Sequence, residues 1–184
     1  MDLTNLPLAT CRSEKYTEGL IDLIGHLKGV ENMVEIGSYQ GESTLIFLEN
    51  LTTLKKIFAV DPWVNGYCEG DVCSEEYPME IVEKNFDLRT KNFGNLVKIK
   101  KTSEQFSKEI EDLSLDFVYI DGDHRYESCL KDIELWLPKV KKGGFIGGHD
   151  YLERCFPGVV RAVSEKLGNP NFIFEDTSWL HIIL

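Results

Sequence analysis

The stretch LDFVYIDGDHRYESCLKDIELWLPKVKKGGFIGGHDY, residues 115–151, decides the fold of this 184-residue chain. It begins with an apolar strand over 116–120, continues into a helix predicted over 127–137, and returns through Gly143 and Gly144 to a strand over 145–147. An apolar strand without polar alternation is expected where both faces of a parallel sheet are covered. The order strand, helix, strand predicts a right-handed parallel crossover.

The sequence on both sides of this stretch repeats the same alternation. The other predicted elements are strands over 33–36, 56–60, 96–99, 172–174 and 180–184, and helices over 13–27, 41–51, 103–113 and 159–167, with one more helix beginning at Pro78. Only a few residues separate the last two strands. These two strands must pair antiparallel, because a parallel return needs a long crossover.

The sequence therefore predicts an α/β fold. We expect a Rossmann-like, mostly parallel sheet of seven strands with a C-terminal antiparallel hairpin and helices on both faces. A chain of this length forms one domain over 1–184, with an N-terminal helical segment over 1–29. The long connection 62–77 is a candidate lid loop, in which Trp63, Tyr67 and Tyr77 either stack on a substrate or anchor the loop to the body.

Charge and composition exclude several classes of partner. The net charge is −11 and the basic residues are interleaved with acidic ones, whereas proteins that bind nucleic acid carry a basic patch. The longest apolar runs are too short to span a bilayer, and the N-terminal residues lack the pattern of a secretory signal. Five widely spaced cysteines indicate free thiols in a reducing compartment. We therefore expect a cytoplasmic protein that binds neither nucleic acid nor membranes.

A glycine loop after the first strand indicates the cofactor. The loop EIGSYQG, residues 35–41, has the spacing E-x-G-x-x-x-G, whereas a nicotinamide dinucleotide fingerprint reads G-x-G-x-x-G. The dinucleotide needs amides around its pyrophosphate, but S-adenosylmethionine has none, and its sulfonium and ammonium cations favour oxygen ligands. Asp61 ends the second strand, where an acidic residue can accept hydrogen bonds from both ribose hydroxyls. Each motif alone is often a helix start or a turn, so the prediction depends on their combination.

Two hydroxyl residues, Thr102 and Ser103, follow the third strand. They either reach the edge of the adenine ring or cap the next helix. Capping is a strong alternative, because Thr or Ser followed by Glu104 and Gln105 is typical of a helix N-terminus.

Titratable side chains follow the fourth and fifth strands. Asp121 ends the fourth strand, Asp123 and His124 lie in the loop after it, and His149 and Asp150 end the fifth strand. Because neighbouring parallel strands end at one crevice, these side chains are expected to converge. Asp121, His149 and Asp150 form a candidate divalent-metal site that suits magnesium, manganese or iron. Asp123 or His124 is placed to take a proton from a substrate hydroxyl. Alternatively, the segment is a turn and His149 is hydrogen-bonded without metal.

The chain resembles class I S-adenosylmethionine-dependent methyltransferases, in particular the branch of the TylF-like macrocin O-methyltransferases and their small relatives. The segments that carry the resemblance are VEIGSYQGEST (34–44), FAVDPW (58–63), LDFVYIDGDHRYE (115–127), LPKVKKGGFIGGHDY (137–151) and PGVVRAV (157–163). The run IDGDHRYE followed by GGHDY is specific, whereas the glycine loop alone is not.

This resemblance implies particular site residues. The implied cofactor contacts come from Glu35, Gly37, Ser38, Gly41, Ser43, Thr44 and Asp61, and the predicted cofactor site also includes Ser103 and Asp121. In metal-dependent relatives, Asp121 and the pair 149–150 correspond to magnesium ligands. Asp123 falls in the loop of their catalytic base, and His124 falls where catechol-type enzymes place a catalytic lysine. The sequence departs from these relatives at His149, where an acidic residue is usual.

The implied reaction is an in-line transfer of the sulfonium methyl group to an oxygen of a small-molecule substrate, with Asp123 or His124 removing the proton. Two other functions stay open. One is a catalytically silent S-adenosylmethionine-binding protein, which His149 favours, and the other is a metal-dependent hydroxylase that resembles the cephalosporin hydroxylases. The glycine spacing and the final hairpin disfavour a nicotinamide oxidoreductase. Small members of this class often dimerise, so the resemblance also suggests a homodimer.

Overall fold

The computed structural model describes residues 14–68 and 77–184. The strands are β1 (Asn32–Ile36), β2 (Lys56–Val60), β3 (Leu96–Ile99), β4 (Leu115–Ile120), β5 (Val140–Gly148), β6 (Phe172–Ile173) and β7 (Trp179–Ile182). The helices are α1 (Glu14–His26), α2 (Glu42–Asn50), α3 (Met79–Thr90), α4 (Ser103–Ser107), α5 (Tyr126–Trp136) and α6 (Pro157–Leu167), and a short 3-10 helix covers Leu137–Lys139.

The strands form one sheet in the order β3-β2-β1-β4-β5-β7-β6. β1 to β5 pair parallel with one another, whereas β7 is antiparallel to both of its neighbours, β5 and β6. This confirms the predicted sheet and its C-terminal antiparallel hairpin. The chain runs from β1 outward to β2 and β3, and then returns to place β4 on the other side of β1. In such sheets the ligand crevice lies beyond the carboxyl ends of the strands at this reversal.

Apolar cores cover both faces of the sheet, because successive residues of a strand point to opposite sides. On one face, Val118 of β4 packs in a buried cluster with Ile133 of α5 and with residues of α6. On the other face, Phe117 of β4 packs with Leu23 of α1 and Phe47 of α2. Burial of each such side chain stabilises the fold by about 1.5–3 kcal/mol. The sheet is therefore a rigid support for the loops at its carboxyl edge.

The helix predicted over 103–113 is shorter than expected and ends at Ser107. Residues that follow form turns, and Leu113 adopts a left-handed conformation with φ of 54° and a largely exposed side chain. Its amide donates a hydrogen bond to the carbonyl oxygen of Pro138 at 3.0 Å. A right-handed helix cannot pass through such a residue, so the apolar character of Leu113 misled the prediction.

Strand β5 is longer than the predicted 145–147, because it begins at Val140. Gly143, with φ of 78°, and Gly144 lie inside the strand, where the register with β4 shifts between Leu115 and Phe117. A Cβ atom on Gly144 would lie 2.8 Å from the carbonyl oxygen of Asp116. The two glycines therefore allow an irregularity within the strand and not the turn before it.

Within residues 14–68 and 77–184, none of the helices combines the length and the apolar character that crossing a bilayer requires.

Candidate active site

A cavity of about 930 Å³ opens at the carboxyl ends of the parallel strands, where the sheet order reverses. Its lining brings together eight of the predicted site residues: Gly37, Asp61, Ser103, Asp121, Asp123, His124, His149 and Asp150. The predicted Glu35, Ser38, Gly41, Ser43 and Thr44 are not part of this lining. The predicted residues at the strand ends thus meet at one crevice, whereas of the predicted residues of the glycine loop and the start of α2 Gly37 alone lines it.

The glycine loop closes tightly onto the end of β4. Gly37 has φ of 84°, and a Cβ atom there would lie 2.1 Å from the carbonyl oxygen of Asp121. Gly41, with φ of 79°, precedes α2, and a Cβ atom there would lie 2.9 Å from Cδ2 of Phe86. Both positions combine a left-handed backbone with a close neighbour, so only glycine fits without a shift of the surrounding residues.

Glu35 lies beneath this loop and is fully buried. The hydroxyls of Ser38, at 2.9 Å, and Thr44 donate hydrogen bonds to its Oε2. Burial raises the pKa of Glu35 to about 7, against the opposing effect of the hydroxyls of Ser43, Thr44 and Ser38. The side chains of these four residues therefore support the loop from below, whereas Gly37 and Tyr39 of the loop and Glu42 at the start of α2 line the cavity.

Asp61 at the end of β2 lines the cavity in a fixed orientation. Its Oδ2 accepts a hydrogen bond from the amide of Tyr39 at 3.0 Å, and its Oδ1 accepts one from the amide of Trp63 at 2.8 Å. Burial raises the pKa of Asp61, although the two amides act in the opposite direction. Each oxygen keeps lone-pair capacity for a further donor.

The first aromatic residue of the candidate lid loop is an anchor. Trp63 is 4% exposed, its Nε1 donates to the carbonyl oxygen of Tyr39 at 2.9 Å, and its ring centroid lies 5.0 Å from that of Phe86. Tyr67 lines the cavity, whereas Tyr77 packs partly against the cluster that holds Phe86. Residues 69–76 of the predicted lid lie outside the described part of the chain. The anchoring interpretation thus holds for Trp63.

Both hydroxyl residues after β3 have internal partners. Thr102 is the N-cap of α4 and forms a capping box with Gln105, which confirms the capping alternative for this residue. The hydroxyl of Ser103 donates to Oδ1 of Asp132 and accepts a hydrogen bond from Nε1 of Trp136 at 2.8 Å. Ser103 therefore lines the cavity, but its hydroxyl is already hydrogen-bonded to Asp132, which lines the same cavity.

At the opposite end of the cavity, Asp150 joins the two histidines. Its Oδ2 lies 2.8 Å from Nε2 of His124, and its Oδ1 lies 3.0 Å from Nδ1 of His149. Burial alone would raise the pKa of Asp150, but the two imidazoles more than offset it and the pKa is lowered. Asp150 has φ of 63°, an uncommon backbone conformation that is often found at functional sites.

A group able to hold a metal ion differs in one residue from the predicted set. Ligand atoms of Asp121, His124 and Asp150 all lie within 4.8 Å of one another. His149 was predicted as the imidazole ligand, but it is not in this group, and its Nδ1 lies 4.0 Å from Oδ1 of Asp121. Two carboxylates and one imidazole suit a divalent cation such as magnesium or manganese. The residues therefore fit a metal ion, with His124 in the place predicted for His149.

Asp123 is held by its neighbours. The Arg125 side chain donates from Nε to both carboxylate oxygens, at 3.0 and 2.8 Å, and the Ser128 hydroxyl donates to Oδ2 at 2.7 Å. Burial would raise the pKa of Asp123, but these hydrogen bonds and the Arg125 charge lower it. A carboxylate with a lowered pKa and occupied lone pairs is a weak proton acceptor. Of the two predicted bases, His124 is the better placed.

Several cavity residues were not predicted from the sequence. The polar ones include Tyr39, Glu42, Arg125, Ser128, Lys131, Asp132 and residues 175–177. Two of them could have been found from their spacing. Ser128 and Asp132 are four residues apart on α5 and so lie on the same face of that helix, which directly follows the loop that carries Asp123. Nothing in the sequence distinguishes residues 175–177 from an ordinary turn.

Comparison with known proteins assigns the family. Residues 34–151 match the family model described as a methyltransferase domain. The chain therefore belongs to the methyltransferase domain family. Among curated proteins, the uncharacterized protein R132 of Acanthamoeba polyphaga mimivirus is 31% identical over 137 residues, which are 72% of this chain and 57% of the relative. The chain thus spans little more than half the length of that relative.

Solved structures share the fold at low sequence identity. The cofactor-bound structure of Rv0187 from MTB has a TM-score of 0.66 and 13% identity, covering 98% of this chain and 84% of that one. The O-methyltransferase from Bacillus cereus in complex with SAH has a TM-score of 0.62 and 16% identity, covering 94% and 82%. At these identities the likeness establishes the Rossmann-like fold, and the chemistry must be argued from the site.

Proposed function

We propose that this protein is an S-adenosylmethionine-dependent methyltransferase that methylates an oxygen of a small molecule. The observation that carries the proposal is that one cavity brings the glycine loop and Asp61 together with the pair His124 and Asp150. A cofactor that spans this cavity places its reactive group between a site for its nucleoside and a candidate base. The resemblance of the sequence supports the TylF-like branch for this activity.

The cofactor end has the features that the nucleoside requires. Gly37 brings the backbone after β1 against the end of β4, and it lines the cavity. The amides of Tyr39 and Trp63 orient the Asp61 carboxylate, which is placed to accept hydrogen bonds from the ribose hydroxyls. Glu35, with Ser38, Ser43 and Thr44, acts indirectly by stabilising the loop. The many carboxylates around the cavity suit the cationic sulfonium.

His124 is the candidate general base. With Nε2 bound to Asp150, the proton of a neutral imidazole is placed on Nε2, which leaves Nδ1 as the acceptor. Asp150 holds the ring and stabilises the imidazolium that forms, as a carboxylate does behind a catalytic histidine. In the reaction the S–CH₃ bond breaks as the O–CH₃ bond forms, and the hydroxyl proton passes to His124. The products are the methyl ether and S-adenosylhomocysteine.

A divalent metal ion is an alternative occupant of the same group. Asp121, His124 and Asp150 would hold it, and the ion would lower the pKa of a substrate hydroxyl. A metal-bound His124 cannot also act as the base, because ligation and proton transfer use the same imidazole. Magnesium or manganese should therefore raise turnover if the ion takes part in the reaction, and lower turnover if His124 acts as the base.

Calorimetric titration with S-adenosylmethionine and S-adenosylhomocysteine, with and without magnesium or manganese, tests the proposal. We expect micromolar affinity, and loss of about tenfold or more in Asp61→Ala, because a charged acceptor of ribose hydroxyls is removed. Asp22→Ala on the exposed side of α1 is the matched control. Absence of binding in the unmodified protein would refute the proposal.

Turnover of a small hydroxylated acceptor, found by screening for S-adenosylhomocysteine release, tests the base. His124→Gln is expected to lower kcat by about 10²- to 10⁴-fold with little change in cofactor affinity. Asp123→Asn should cost less than about tenfold, because Arg125 already occupies that carboxylate. Tight cofactor binding without turnover of any acceptor would favour a silent binding protein.

A further inference from the structure

We propose that Asp132 is the residue that recognises the adenine amino group of the cofactor, with Ser103 as its positioning residue. This inference rests on the proposed function, because it requires an adenosyl ligand in the cavity. It names a side chain on α5 that the glycine-loop and strand-end motifs do not include. The ligand chemistry is an exocyclic amine that donates a hydrogen bond to a carboxylate.

The order of the strands places the adenine ring next to Asp132. Along the cavity, residues after β3, β2, β1, β4 and β5 follow one another in space. In the proposed arrangement the ribose lies at Asp61 after β2, and the methyl acceptor lies near His124 and Asp150. The adenine ring must then extend to the other side of Asp61. The cavity residues on that side include Ser103 after β3 and Asp132 of α5, together with the ion pair of Glu104 and Lys131.

A chain of hydrogen bonds fixes the Asp132 carboxylate. Nε1 of Trp136 donates to the Ser103 hydroxyl at 2.8 Å, and that hydroxyl donates to Oδ1 of Asp132. Because the indole is fully buried, it gives the chain a rigid start. Oδ2 lies on the side of Gly122, where a Cβ atom would be 3.7 Å away, and both residues line the cavity. One oxygen is thus held by the protein, and the other faces the space for the ligand.

Asp132 forms no ion pair in the described part of the chain, although the charge of Lys131 acts to lower its pKa. Lys131, its neighbour in sequence, pairs instead with Glu104 at 2.6 Å, and Arg125 pairs with Asp123. Burial raises the pKa of Asp132 to about 6, and in its ionised form the carboxylate only accepts hydrogen bonds. A half-buried acceptor of this kind is costly unless a ligand donates to it.

Apolar and aromatic groups shape the rest of this end. Val60 and Leu135 line the cavity together with Asp132, and Tyr67 of the lid loop reaches across to hydrogen-bond the Thr102 side chain. A flat ring between apolar walls with one carboxylate at its edge is a typical arrangement for recognition of a nucleobase. The Ser103 hydroxyl, predicted at the adenine edge, acts through Asp132.

The test compares S-adenosylhomocysteine with S-inosylhomocysteine, which has an oxygen in place of the adenine amine, by calorimetric titration of the full chain. We expect the unmodified protein to prefer the adenosyl compound by about 10- to 100-fold, because the inosyl oxygen faces the carboxylate without a proton to donate. Asp132→Asn should reduce this preference to about threefold or less, since its amide can donate to the inosyl oxygen. Ser103→Ala should reduce it partially.

Glu134→Gln is the matched control, because Glu134 lies on the same helix and pairs with Lys166 outside the cavity. Its preference should equal that of the unmodified protein. Equal affinity of the unmodified protein for both compounds, or an unchanged preference in Asp132→Asn, would overturn the inference and leave the proposed function intact. Absence of S-adenosylhomocysteine binding in the unmodified protein would overturn both. If Asp132→Asn does not fold, Ser103→Ala provides the test, because it removes only a hydroxyl. An unchanged preference in that variant would then overturn the inference.

Discussion

At the scale of single residues, Glu35 makes the stability of the protein depend on pH. Its carboxyl has a pKa of about 7 in the folded chain against an ordinary value of 4.5, because it is fully buried. Between these two values the folded state binds more protons than the unfolded state, so the free energy of unfolding falls as the pH rises. A difference of this size corresponds to roughly 3 kcal/mol lost between pH 4.5 and pH 7.

Urea denaturation of Glu35→Gln at several pH values measures this effect. The variant carries no proton to lose at this position, so its free energy of unfolding should fall less between pH 5 and pH 8 than that of the unmodified protein, by about 2 kcal/mol or more. Glu111→Gln, at an exposed position on the surface, should leave the pH dependence unchanged. Parallel curves for Glu35→Gln and the unmodified protein would show that the Glu35 carboxyl titrates normally.

The residue types at the site were predictable, but their partners were not. The sequence places Asp121, Asp123, His124, His149 and Asp150 at the ends of two neighbouring strands, and all five line the cavity. Which of them meet depends on side-chain directions in short loops, for which periodicity carries no information. Thus the capture of Asp123 by Arg125, and the place of His124 beside Asp150, emerged only from the folded structure.

At the scale of elements, the turn from β1 into α2 depends on the contact between Gly37 and the end of β4. Gly37→Ala would combine the cost of a left-handed backbone with a Cβ atom 2.1 Å from the carbonyl oxygen of Asp121. We expect a loss of about 3 kcal/mol in the free energy of unfolding, together with weakened binding of S-adenosylhomocysteine, because the two strand ends must separate.

Gly29→Ala separates these two costs. Gly29 has φ of 77°, close to the 84° of Gly37, but a Cβ atom there would meet nothing within 4 Å. It should therefore lose only about 1 kcal/mol and keep its affinity for the ligand. Equal losses in the two variants, measured by urea denaturation, would mean that backbone strain alone explains the requirement for glycine at Gly37.

Element types followed from the sequence more closely than element ends did. Apolar runs bounded by glycine, proline and aspartate predicted every strand of the sheet, because buried strands leave the clearest pattern. The ends of α4 and β5 were wrong, since Leu113 and the pair Gly143 and Gly144 take part in a turn and an irregular strand that tertiary contacts determine. The hairpin of β6 and β7 was predicted because its short connection permits only one pairing.

At the scale of the whole molecule, the packed structure extends beyond the family match. The match covers residues 34–151, whereas α1 before it and β7 after it contribute buried residues to the same apolar cluster as β1, β2 and β4. Leu23 of α1 and Leu180 of β7 are both fully buried there. We therefore propose that α1 and the terminal strands belong to one cooperative folding unit with the matched region.

Leu23→Ala tests this proposal, because Leu23 lies on one face of the sheet while two of the three tryptophans, Trp136 and Trp179, lie in the core on the other. A cooperative unit should lose about 2–5 kcal/mol, and tryptophan fluorescence and far-ultraviolet circular dichroism should give the same lowered midpoint in urea. Ile21→Ala, at a position of the same helix that is 41% exposed, should cost much less, by about 0.5 kcal/mol. If the variant instead loses helical signal early while the tryptophan transition stays in place, α1 unfolds independently, and the cofactor cavity is supported by the matched region without it.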